Sequence, residues 1–187
     1  MPFIEPQYNS ETVDLAGQAL ICNVTVSNRL VVKGIDQLEV INNRRAAHAY
    51  PMNTFQATLR QRAFRIDPTA IIATRTKRLS SIQDKLQRYD WLTLSEMQDI
   101  AGCRAVVSSV DQVDELVDVY SRKHAGHGLL RTNDYIRSPK PDGYRSYHLI
   151  YEYCNSTNPI CDGLKIEIQL RSVLQLNCPE FAGDSNH

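Results

Sequence analysis

Two short runs near the C-terminal end constrain the fold most. Lys165-Ile-Glu-Ile-Gln-Leu-Arg171 alternates strictly between polar and apolar residues. Successive side chains of a strand point to opposite faces. Lys165, Glu167, Gln169 and Arg171 therefore share one face, and Ile166, Ile168 and Leu170 the other. Ser146 to Tyr153 repeats the pattern, with Ser146, His148 and Glu152 opposite Tyr147, Leu149, Tyr151 and Tyr153. Taken alone, either run is an ordinary half-exposed strand. Running into the second is Asn133-Asp-Tyr-Ile-Arg-Ser-Pro-Lys-Pro-Asp-Gly-Tyr-Arg-Ser-Tyr-His148, a turn crowded with tyrosines and cations. An aromatic ring and cations beside a strand bearing a carboxylate suit a nucleotide held near a metal.

The 187 residues suit one domain with room for a sizeable core. No apolar run reaches the length of a membrane span, so no membrane partner is expected. Five cysteines without Cys-x-x-Cys spacing argue against zinc or a disulfide framework and favour a reducing cytoplasm. The formal net charge of zero hides an uneven distribution, because residues 42–104 carry eleven basic and five acidic groups. That basic third is either a solvated face or a surface that meets phosphates.

Along the chain, Glu11–Ile21, Leu38–His48 and Asn53–Ile66 show helical apolar spacing, with Pro51 at a helix start and Asp67-Pro68 as the stop. Ala70–Thr74 and Arg104–Val107 read as strands. Between them Ser80 or Ser81 is expected to cap a helix running to Tyr89. Asp111 is expected to cap a helix reaching Lys123, and Leu129–Ile136, Ser146–Tyr153 and Leu164–Arg171 are three further strands. The fold class is α/β (α+β): a mixed β-sheet flanked by helices, behind a helical N-terminal segment. The divisions are a helical segment 1–68, a domain 69–176 and an irregular tail 177–187.

The candidate chemical groups follow from that layout. Asp99 precedes a strand, and a carboxylate at a strand edge suits Mg²⁺, which favours one or two carboxylates plus substrate phosphates. Glu167 is its partner if their strands are neighbours. Arg75, Lys77, Arg78, Ser81 and Lys85 lie at a strand end and the following helix start, where anions are favoured. No phosphate-binding glycine loop of the G-x-x-x-x-G-K-[ST] type is present. Side chains would then hold any phosphates.

Five motifs occur in order: R-x-K at Arg75, S-S-I-x-x-K at Ser80, D-I-A-G-x-R at Asp99, D-Y-I-x-x-P-K-x-x-G-Y-R-S-Y-H at Asp134, and E-I-Q-L-R at Glu167. In this order and spacing the chain resembles the synthetase domain of the RelA/SpoT family over roughly residues 70–175. That resemblance implies a nucleotidyltransferase-like fold. It also implies transfer of the β,γ-pyrophosphate of ATP to the ribose 3′-oxygen of GDP or GTP, giving (p)ppGpp and AMP with Mg²⁺ as cofactor. By motif position, Arg75 and Arg104 would sandwich adenine, and Lys77, Ser81 and Lys85 would hold the ATP phosphates. Asp99 and Glu167 would be metal ligands and catalytic residues, with Glu167 as the base. Tyr144 would stack on guanine, Lys140 and His148 would lie near the acceptor's phosphates, and Gln169 and Arg171 close to the acceptor.

No hydrolase segment precedes the motifs and no regulatory region follows them, so a small, stand-alone synthetase is expected. Pro179 and Gly183 argue against a long final helix, and a truncated tail is the expectation there. Two alternatives stand beside the alarmone reading: a toxin-type relative that modifies the tRNA 3′ end, using Arg44, Arg45, Arg60, Arg62 and Arg65 on RNA phosphates, and a nucleotide-binding remnant without turnover. A homo-oligomer is compatible with the resemblance.

Overall fold

The computed structural model describes residues 4–22, 31–32, 34–122 and 126–176. The tail 177–187, with Pro179 and Gly183, lies outside the described residues. Helix α1 (Ser10–Ile21) starts at Asn9, whose Oδ1 accepts the Thr12 N–H at 2.9 Å. A small pair, β1 (Val31–Val32) and β2 (Ile35–Asp36), leads into α2 (Gln37–Ala47), capped by Asp36 Oδ1 on the Leu38 N–H. Helix α3 (Ala49–Ile66) places Pro51 in its first turn, where a missing N–H breaks no intrahelical bond. Then come β3 (Ile71–Thr76), α4 (Leu79–Arg88), β4 (Ala101–Val107), α5 (Val110–Arg122) and β5 (Gly128–Asp134). Strands β6 (Tyr147–Glu152) and β7 (Lys165–Ser172) and a short α6 (Val173–Leu176) complete the described chain.

Five strands form one mixed sheet in the order β3-β4-β7-β6-β5. Only β4 and β7 run parallel; the other three pairings are antiparallel. The expected mixed sheet flanked by helices is what the chain forms. Its apolar face carries Cys103, Ala105, Val107, Ile166, Ile168 and Leu170, which pack with Phe55, Leu59 and Ala63 of α3 and Val113, Leu116 and Tyr120 of α5. The polar face of the sheet is the one left for a site.

A second core joins α1, α2 and α4 to the segment before β4, through Val13, Ile41, Ile82, Leu94 and Ile100. Fully burying one such Leu or Ile contributes roughly 1.5–3 kcal/mol. The N-terminal helices thereby fix the segment that carries Asp99.

Two helix starts differ from expectation. Helix α4 begins at Leu79 after Arg78, so Ser80 and Ser81 lie inside its first turn and no side chain caps it. Helix α5 begins at Val110, so Asp111 lies within its first turn. Ser109 Oγ accepts the Gln112 N–H at 3.2 Å while Gln112 Oε1 accepts the Ser109 N–H at 3.0 Å. That reciprocal pair satisfies two otherwise orphaned donors, which a lone aspartate does not. Where α3 ends, Asp67 accepts the backbone N–H and hydroxyl of both Thr69 and Ser108. One carboxylate thus ties the start of β3 to the end of β4.

His48, between α2 and α3, is fully buried. Its Nδ1 donates to the Arg44 carbonyl at 2.7 Å, and its Nε2 has no hydrogen-bond partner. Burial, reinforced by the Arg44 charge, pushes its pKa down to about 3. An unfolded histidine titrates near ~6.5, so the unfolded chain binds the extra proton first. Stability from this group is complete above that pH and falls as pH drops from ~6.5 towards the folded value, by up to ~1.4 kcal/mol per pH unit. Urea melts from pH 7.5 to 5 are expected to show this slope, and His48→Gln should flatten it. An equally steep decline in the variant would remove His48 as its source.

Candidate active site

The sheet register lines polar side chains into two rows across one face. In the first row Arg75 of β3 faces Gly102 of β4, which faces Glu167 of β7. In the second, Arg104 of β4, Gln169 of β7, His148 of β6 and Asn133 of β5 are successive cross-strand partners. Gly102 contributes no side chain, and the rows meet around a depression that includes Arg75, Gly102, Arg104, Glu167 and Gln169.

Hydrogen bonds tie the second row to Glu167 of the first. Arg104 donates Nε and Nη2 to Gln169 Oε1 at 3.1 and 2.9 Å. Gln169 Nε2 donates to Glu167 Oε2 at 2.7 Å. The other oxygen of Glu167 lies 2.8 Å from His148 Nδ1, and His148 Nε2 lies 2.8 Å from the Tyr144 hydroxyl. Burial alone would raise the Glu167 pKa, but the hydrogen bond and charge of His148 outweigh it and hold the carboxyl below its usual value. Glu167 (8% exposed), His148 (7%) and Gln169 (5%) are buried, so this strand face is not the half-exposed surface that alternation alone suggests.

Asp99 sits two residues before β4. Its Oδ2 lies 3.1 Å from Lys77 Nζ and its Oδ1 2.8 Å from Lys85 Nζ. Burial pushes its carboxyl up, but the two ammonium groups dominate and hold it below the ordinary range. Lys77 follows β3 and is pinned by its N–H on the Ile100 carbonyl, while Arg45 of α2 donates Nε to the Lys77 carbonyl at 3.0 Å. Arg44 donates to the Ser95 carbonyl. These two arginines brace loops, whereas Arg60 and Arg65 are exposed and Arg62 lies 4.3 Å over the Tyr120 ring. Ser81 lies half-buried in the uncapped first turn of α4, four residues after Lys77; such a turn favours anions.

The loop 135–146 folds over the other end of the row. Lys140 Nζ lies 4.7 Å from the Tyr135 ring centre and 4.8 Å from that of Tyr144, and the Arg171 guanidinium lies 4.3 Å from Tyr144. Tyr135 also meets Tyr144 and His148 edge-on. Gly143, at φ +82°, supplies the left-handed residue this turn needs.

The sequence model described as the region found in RelA/SpoT proteins matches residues 74–185, more than half of the chain. The chain belongs to the RelA/SpoT family. GTP pyrophosphokinase YwaC of Bacillus subtilis (strain 168) is 37% identical over 113 residues, which are 57% of this chain and 53% of YwaC. GTP pyrophosphokinase YjbM of the same strain is 34% identical over 110 residues, 57% of this chain and 51% of YjbM. The chain spans about half the length of these relatives. The crystal structure of small alarmone synthetase 1 from Bacillus subtilis bound to its product pppGpp is 26% identical, with a TM-score of 0.60, covering 68% of this chain and 70% of that one. A GTP pyrophosphokinase family protein from Streptococcus pneumoniae is 29% identical, with a TM-score of 0.59, covering 74% and 70%.

The RelA/SpoT resemblance implies magnesium, and the donor chemistry here is compatible with it. Asp99, two residues before β4, and Glu167, on the neighbouring parallel strand β7, offer only oxygen and are both held ionised at neutral pH. The Asp99 charge acts on Glu167. No group of three or more His, Cys, Asp or Glu residues fit to hold a metal occurs among the described residues. Two carboxylates completed by phosphate oxygens match the habit of Mg²⁺. Sequence reasoning missed Gly102, Tyr135 and the Arg45 brace. The D-I-A-G-x-R motif contained the glycine, but only the register shows why it is one. Among the described residues no helix is long and apolar enough to cross a membrane.

Proposed function

We propose that this chain is an ATP-dependent pyrophosphokinase acting on GDP or GTP. The observation that carries the reading is the hydrogen-bonded chain Arg104–Gln169–Glu167–His148–Tyr144, buried at its centre and flanked by the Asp99–Lys77–Lys85 cluster, in a chain similar to named GTP pyrophosphokinases. The ribose 3′-oxygen of the acceptor forms a bond to the β-phosphorus of ATP. The bond from that phosphorus to the α,β-bridging oxygen breaks, AMP leaves, and the hydroxyl proton passes to Glu167.

Arg75 and Arg104 stack on adenine, since guanidinium planes favour aromatic faces. Lys77, Ser81 and Lys85 bind the ATP phosphates, neutralising charge where it gathers during transfer. Tyr144 stacks on guanine, with Lys140, His148 and Arg171 on the acceptor side. Asp99 and Glu167 hold Mg²⁺, which supplies Lewis-acid neutralisation of the pyrophosphate when bound. The five cysteines without a pairing pattern support a reducing cytoplasm as the location.

With γ-labelled ATP and Mg²⁺, label is expected to move to GDP and GTP. Transfer only to deacylated tRNA would replace the acceptor class, and no transfer to any acceptor would leave a nucleotide-binding remnant.

A further inference from the structure

We propose that Gln169 is a positioning residue: its amide links the Arg104 side of the site to the carboxylate of Glu167. This rests on the pyrophosphate-transfer reading above, in which Gln169 itself need touch neither substrate.

A primary amide has one accepting oxygen and one donating nitrogen, whereas a guanidinium only donates and a carboxylate only accepts. Arg104 directs two N–H groups at the Gln169 oxygen, so the amide nitrogen must face the other way. There it meets Glu167 Oε2 at 2.7 Å. Flipping the amide would set donor against donor at Arg104 and oxygen against oxygen at Glu167. The orientation is therefore fixed by its two neighbours.

Placement strengthens the argument. Gln169 is the cross-strand partner of Arg104 on one side and of His148 on the other, and it lies two residues from Glu167 on the same strand face. At 5% exposure it has little solvent to turn towards. His148 holds Oε1 of Glu167 at 2.8 Å while Gln169 holds Oε2, so both oxygens are clamped by separate donors. Each oxygen keeps a further lone-pair direction for a substrate hydroxyl or cation. A movement of Arg104 on its nucleotide thus reaches the base through one amide.

Two substitutions separate this role from others. Gln169→Glu keeps an acceptor for Arg104 but removes the N–H that Glu167 uses. Gln169→Met removes both bonds at similar volume. Each is expected to lower kcat by about 10–100-fold, since slight misplacement of a reacting group costs that much. The KM values for ATP and for GDP or GTP should stay within about twofold, and the melting temperature should confirm folding. A raised acceptor KM with kcat retained would make Gln169 an acceptor contact and overturn the proposal, as would unchanged kinetics.

A readout independent of activity is the side-chain amide pair of Gln169 in ¹⁵N–¹H spectra of the nucleotide-free protein. Two resolved, slowly exchanging signals are expected, and Arg104→Ala should shift or merge them. Signals of a freely solvated amide, or no response to Arg104→Ala, would overturn the link. If the wild type transfers to neither GDP nor GTP, the functional reading fails, and these spectra still decide the link.

Discussion

Glu167→Gln is expected to slow pyrophosphate transfer by ~10²–10⁴-fold, the range a positioned general base contributes. The substitution preserves volume and the β7 backbone but removes the group proposed to take the 3′-hydroxyl proton. It also replaces one accepting oxygen by a donating nitrogen. That nitrogen must face either His148 Nδ1 or Gln169 Nε2, both of which point at the carboxylate. A buried donor left without a partner costs about 1–3 kcal/mol, so a lower melting temperature should accompany the loss. Binding of a non-hydrolysable ATP analogue should survive, because Arg75, Lys77 and Lys85 are untouched. The wild-type carboxyl is held below its usual range, so no loss of rate from its protonation is expected near neutral pH. Single-turnover transfer to GDP and GTP, measured beside analogue binding, checks both halves. A variant that transfers as fast as wild type would remove Glu167 from the base role.

The strands were legible because alternation is a local signal, and Lys165–Arg171 and Ser146–Tyr153 carried it plainly. The rows were not, because register depends on residues far apart in the chain. Nothing near Gly102 in sequence says that it lies between Arg75 and Glu167, or near Gln169 that Arg104 and His148 are its neighbours. Burial of the polar face was equally hidden, since it depends on loop 135–146 folding back so that Arg171 lies under Tyr144. Helix starts failed where serines competed. Ser80 and Ser81 look like caps, but the chain turns helical just before them, whereas Ser109 becomes a cap through Gln112 three residues on. The motif residues converged because four of the five motifs lie on or next to strands of one sheet, while the fifth, S-S-I-x-x-K on α4, brings Lys85 to Asp99 beside β4.

Gly102→Ala is expected to damage both fold and activity, although it adds one methyl group. A Cβ at this position would lie 2.7 Å from the backbone oxygen of Glu167 and 3.6 Å from the Glu167 Cβ. The first contact is with main chain, so no rotamer change relieves it. Strands β4 and β7 would have to part at the register pair Gly102–Glu167, in the only parallel pairing of the sheet. Overpacking of this kind costs typically ~1–3 kcal/mol. The displacement would fall on Glu167, the proposed base, so transfer should drop further than stability alone explains. Gly128→Ala is the control: its added Cβ would meet only the Glu152 Cβ at 3.8 Å, an ordinary contact. Relief of the backbone entropy of glycine in a strand should leave that variant at least as stable as wild type. Thermal melts and transfer rates of the two variants, measured side by side, test the point. Equal behaviour of the two would mean that the approach of β4 to β7 does not require glycine.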